Sequence, residues 1–141
     1  MKGFIFAALM LGTLPAWAAC DGLQISNAWV RSAPPGVTMM AGYATVKNVG
    51  TKARTLREVS GQDFKAIEIH KTVIEAGVSK MIYLETVAVA AGGQATFEPG
   101  GMHMMLFSPK RAFKAGDTLQ LSFSCGGKKR LKAEFTVKDA P

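Results

Sequence analysis

A chain of 141 residues is long enough for one domain with a real core and too short for two. Its 17 Lys and Arg against 10 Asp and Glu give a formal charge of +7, but the basic residues are scattered along the chain rather than gathered into a nucleic-acid footprint. After the first twenty residues no long apolar stretch occurs, which argues against stable membrane insertion of residues 20–141.

The N-terminus reads as a leader. Lys2 gives a positive start, Phe4 to Leu14 is apolar, and Ala16-Trp17-Ala18 is an A-x-A-like cleavage site. A secretory signal peptide over residues 1–19 is expected, cut after Ala18 or Ala19, with one domain over 20–141. Export weighs further against a nucleic-acid partner. A lipoprotein signal would use Cys20, but Trp17 stands where such a signal favours a small aliphatic residue.

The remainder reads as short strands between turn signals, an all-β pattern. Leu23, Ile25, Asn27 and Trp29 alternate with Gln24, Ser26 and Ala28, and Pro34-Pro35-Gly36 ends that run. Residues 41–48 resume it, with Asn48-Val49-Gly50 as a turn. Strands are expected over 56–60 and 64–70, then a loop over 71–80 around Gly77. Strands over 81–86, 94–98 and 102–107 come next. Leu119, Leu121, Phe123 and Cys125 share the face of one further strand. Past the turn at Gly126-Gly127-Lys128, Leu131, Ala133, Phe135 and Val137 share that of the last. Eight or nine short strands without a long helix predict an all-β sandwich.

Cys20 and Cys125 are the only cysteines. In an exported chain an even count predicts a disulfide; the alternative is two free thiols, one of them handling copper. A blue-copper centre combines two His with one Cys, and no histidine follows Cys125.

Gly100-Gly101-Met102-His103-Met104-Met105 puts one imidazole among three thioethers. Strand alternation sends His103 and Met105 to one face and Met102, Met104 and Leu106 to the other. The second histidine, His70, shares a face with Glu68 while Ile67 and Ile69 take the core side. Met81 likewise lies off the face of Ile82 and Leu84. Were residues 71–80 a hairpin loop, His70 and Met81 would meet at one end of the sheet. His70, Met81, His103 and Met105 then make a neutral N2S2 set, and soft thioethers select Cu(I).

The order His70, ten residues, Met81, twenty-one residues, His103, one residue, Met105 resembles the motif of the periplasmic copper chaperone PCu(A)C family. Ile67-Glu68-Ile69-His70, Ala91-Gly92-Gly93, Glu98-Pro99-Gly100-Gly101 and Phe113-Lys114-Ala115-Gly116-Asp117-Thr118 fit as well, so the likeness runs from about Asn27 to Val137. The resemblance implies a cupredoxin-like (Ig-like) β-sandwich. It also implies one Cu(I) held by those four side chains in the periplasm, and delivery toward the copper centre of cytochrome c oxidase alongside Sco-type proteins. Some members carry a His- and Met-rich C-terminal tail; residues 137–141 are not of that kind, so one principal site is expected. Met39, Met40, Met102 and Met104 are candidates for auxiliary ligands. Such a protein binds and transfers without catalysis; copper storage or resistance, or a metal-free exported sandwich that binds another ligand, are the alternatives.

Overall fold

Alternating apolar and polar side chains build eleven strands among residues 19–140, which the computed structural model describes. In chain order they are β1 (Leu23–Arg31), β2 (Met39–Asn48), β3 (Arg54–Leu56), β4 (Glu58–Ser60), β5 (Phe64–Glu75), β6 (Val78–Tyr83), β7 (Val87–Val89), β8 (Gln94–Phe97), β9 (Met102–Pro109), β10 (Thr118–Ser124) and β11 (Leu131–Lys138). No helix occurs among the described residues, so none there is long and apolar enough to cross a membrane. The leader expected over residues 1–19 lies, apart from Ala19, outside the described residues.

Nine strands form one mixed sheet in the order β4-β10-β11-β1-β2-β8-β9-β5-β6, with β2 also pairing β9; β3 and β7 make a separate pair. β4 and β5 stand seven strand positions apart in that order, yet only residues 61–63 join them. Through the direct β2–β9 pairing they are six steps apart, so a flat sheet would hold them roughly 29 Å apart at about 4.8 Å per strand. A three-residue link spans at most about 14 Å. The sheet therefore curls until its ends meet, giving a two-layered β-sandwich. Val30, Val46, Leu106, Leu121, Phe123 and Phe135 are fully buried between the layers.

Among the described residues one polar side chain is fully buried, and it makes three hydrogen bonds. Asn48 Nδ2 donates to the carbonyls of Lys52 (2.7 Å) and Val89 (3.1 Å), and Oδ1 accepts from the Gly50 N–H (3.0 Å). This pins the turn after β2 against β7. Cys20 and Cys125 form the expected disulfide, with Cα atoms 5.3 Å apart, and no free cysteine remains among the described residues. The bond ties the start of the domain to the end of β10.

Three expectations change. The strand count is eleven because Arg57 separates β3 from β4, which pair with different partners, and because the three-residue β7 has too short a pattern to stand out. In β1 the alternation slips: Asn27 has φ 50° and the register shifts between Ser26 and Trp29. Beyond this bulge Val30 points into the core, while Trp29 packs on Tyr43 with ring centroids 4.7 Å apart. Finally, residues 71–80 are not a loop. β5 continues to Glu75 and β6 begins at Val78, around a two-residue turn at Ala76 (φ 49°) and Gly77 (φ 78°). Positive φ at both central residues is the hairpin turn whose twist matches the flanking strands, and Thr72-Val73-Ile74 is a β-branched run suited to extend β5.

Candidate metal centre

β5 and β9 are antiparallel neighbours, with His70 opposite His103 and Glu68 opposite Met105. β6 lies on the other side of β5, with Tyr83 opposite His70 and Met81 opposite Thr72. Directly opposed residues share a face, and steps of two along a strand keep it. Both histidines, Glu68, Met81, Tyr83 and Met105 therefore stand on one face of three adjacent strands. On the reverse face Ile69, Met104 and Leu106 are buried in the core.

The imidazoles meet. Their ring centroids are 6.0 Å apart, tilted by 47°. His103 is 5 % exposed and the His70 side chain 17 %. Each ring is oriented through one nitrogen. His103 Nδ1 lies 3.1 Å from the Gly101 carbonyl, which can only accept, so Nδ1 carries the proton. Gly100, at φ +83°, turns the chain so that this carbonyl faces β5, where it also accepts the Thr72 N–H at 3.2 Å. His70 Nε2 lies 2.8 Å from Glu68 Oε2 and donates to it. The two remaining nitrogens, His70 Nδ1 and His103 Nε2, are buried and have no hydrogen-bond partner.

An unpartnered buried polar atom costs about 1–3 kcal/mol, and here two such nitrogens belong to neighbouring rings. A metal about 2 Å from each nitrogen lies about 3 Å from each ring centre, so rings some 6 Å apart fit one shared ion. Among the described residues no three His, Cys, Asp or Glu side chains gather into a metal cluster. A centre at this pair thus has to be completed by other donors, and thioethers are at hand. Met105 follows His103 by two residues on the same face and is partly buried. Met81 is 62 % exposed. It does not oppose His70 at a hairpin end, as expected, but is its diagonal neighbour; diagonal pairs lie about 7–8 Å apart, within reach of long side chains. Of the auxiliary candidates, Met40 and Met104 are buried in the core and Met102 packs against it, whereas Met39 is exposed.

Two contributors were not assigned from sequence. The sequence puts Glu68 on the face of His70 without marking a role for it; Glu-x-His on a strand is the signal, because a spacing of two puts the carboxylate beside the ring. Tyr83 stands edge-on to His70, with centroids 6.1 Å apart at 82°, and flanks the ring on its β6 side.

Residues 23–137 match the family described as "Putative lipoprotein LpqE-like". The chain belongs to the LpqE-like family. It is 29 % identical to "Putative lipoprotein Lxx21020" of Leifsonia xyli, over 99 % of this chain and 90 % of that protein. It is 34 % identical to "Uncharacterized protein RP573" of Rickettsia prowazekii, over 78 % of this chain and 61 % of that one. Among solved structures it is similar to the copper-bound PCuAC domain from PmoF2, with a TM-score of 0.71 and 18 % identity over 84 % of this chain and 94 % of that one. It is also similar to the solution structure of the Cu(I) form of DR1885 from Deinococcus radiodurans, with a TM-score of 0.61 and 25 % identity over 86 % and 83 %. The fold is thus that of PCuAC domains, a cupredoxin-like β-sandwich, in agreement with the resemblance read from the His/Met spacing.

Proposed function

We propose that this LpqE-like chain is an exported copper chaperone that holds one Cu(I) between His70 Nδ1, His103 Nε2, Met81 and Met105 and passes it to a protein acceptor. The observation that carries this reading is the pair of buried, unpartnered imidazole nitrogens on opposed residues of β5 and β9, whose rings lie 6.0 Å apart and are each already held through the other nitrogen. Similarity to a copper-bound PCuAC domain and to a Cu(I) form of DR1885 supports copper as the cargo. The leader-like residues 1–19 and the lipoprotein relative support export, with the periplasm as the compartment.

The ligand set explains how binding and release coexist. Imidazole and thioether bind without losing a proton, provided the histidines are neutral, and soft sulfur favours Cu(I). Met81 is the exposed member, so an acceptor's ligand can displace it while the buried imidazoles still hold the ion. The work is transfer of a cargo, not catalysis, and the acceptor implied is the copper centre of cytochrome c oxidase or a Sco-type protein serving it. The test is anaerobic titration with Cu(I) against a competing chelator. The parent binds one equivalent, and His70→Ala and Met81→Ala each weaken binding sharply; parent-like binding by both variants contradicts the assignment.

A further inference from the structure

The six methionines of the described residues divide by face. Met40, Met102 and Met104 belong to the core side. Met39, Met81 and Met105 stand on the face of the histidines. The proposed copper centre accounts for Met81 and Met105 and leaves Met39 without a role. Packing supplies none: Met39 is 43 % exposed and lies outside the packed core. Its place in the sheet is informative. On β2, Ala41 opposes Met105 and Met39 opposes Phe107, so Met39 is the diagonal neighbour of Met105. Diagonal side chains lie about 7–8 Å apart, within reach of long side chains, and methionine is unbranched with three rotatable bonds. Across this face the strands run β6, β5, β9, β2; Met81 stands diagonal to His70 at one end, and Met39 stands beyond Met105 at the other, two residue pairs along from the imidazoles.

We propose that Met39 is a relay ligand, a thioether that takes up Cu(I) as the ion leaves the centre toward the β2 side. The inference rests on the copper reading of His70, His103, Met81 and Met105. In the step, the copper–nitrogen bonds to the imidazoles and the copper–sulfur bond to Met81 break as a copper–sulfur bond to Met39 forms. Copper stays Cu(I), both thioethers are neutral, and neither proton nor electron moves. Met105, diagonal to Met39 and next to His103 on the same strand face, keeps the ion during the exchange. Met39 is exposed, so the ion it holds is open to a partner's ligand.

The experiment follows the methionine methyl resonances of the mature chain, labelled at the methyl carbon, during anaerobic Cu(I) titration, and pairs this with stopped-flow transfer of Cu(I) to bicinchoninate. The expected result is that the Met81 and Met105 methyls shift in full at one equivalent, while Met39 shows a smaller, exchange-broadened change. Met39→Leu, which keeps size and removes sulfur, then slows transfer several-fold and leaves equilibrium affinity as in the parent. An unmoved Met39 methyl together with parent-like transfer by Met39→Leu overturns the relay while leaving the centre intact. Loss of equilibrium affinity in Met39→Leu as large as in Met105→Leu also overturns it, because Met39 would then be a resident ligand. If no methionine methyl moves, the copper reading itself has failed.

Discussion

Removing the Glu68 carboxylate asks whether His70 is oriented for a metal or merely stored in the sheet. The carboxylate accepts from His70 Nε2 at 2.8 Å and so leaves the lone pair on the buried Nδ1. In Glu68→Ala that restraint is gone, and the ring is free to take the other tautomer or turn away. Losing such an outer partner lowers metal affinity by about 10–100-fold. The Glu68 side chain is 44 % exposed and partly screened by water, which places the loss at the lower end, about tenfold or ~1.4 kcal/mol. Glu68→Gln keeps an acceptor oxygen and loses only the charge, so its loss is smaller. Competition for Cu(I) against bicinchoninate under argon at neutral pH measures both, with urea unfolding to show that the variants fold like the parent. If Glu68→Ala bound Cu(I) as tightly as the parent while His70→Ala abolished binding, the carboxylate would have no part in presenting the nitrogen. The tautomer argued for His70 would then be wrong.

Other outcomes come from the fold. Asn48→Ala removes three hydrogen bonds, one of them to the buried Val89 carbonyl, and should lower stability by about 1–3 kcal/mol, read as a lower urea midpoint at unchanged m-value. Replacing Cys20 and Cys125 together by Ser should cost about 2–5 kcal/mol of stability. Cu(I) affinity should stay as in the parent, since neither cysteine belongs to the strands that carry the imidazoles. Ala76→Asn relieves a non-glycine residue at φ 49° and creates the favoured Asn-Gly turn. A left-handed alanine costs about 1–2 kcal/mol, so the variant should unfold at higher urea; a lower midpoint would refute the turn assignment.

The face on which the site lies was legible from parity alone. A spacing of two puts His103 with Met105 and Glu68 with His70, and the aliphatic residues between them declare which side is the core. Parity holds only while the strand is regular. At Asn27 a bulge shifts it, and simple alternation carried through Trp29 points the wrong side chain inward. Register across strands is less legible, because the turn sets it. A loop over residues 71–80 would put Met81 level with His70; the tight turn at Ala76–Gly77 lets both strands run on and leaves Met81 one diagonal step away. The link between Glu68 and His70, and the Gly101 carbonyl on His103, are matters of side-chain rotamer and backbone turn that a residue pattern does not encode.

X-ray absorption at the copper edge of the anaerobically loaded protein bears most directly on the shared His/Met centre. The expected spectrum has a Cu(I) edge and a first shell of two nitrogen and two sulfur neighbours, with one nitrogen lost in His103→Ala and one sulfur lost in Met105→Leu. A shell without sulfur, or one unchanged in both variants, would mean that copper binds somewhere other than between these strands.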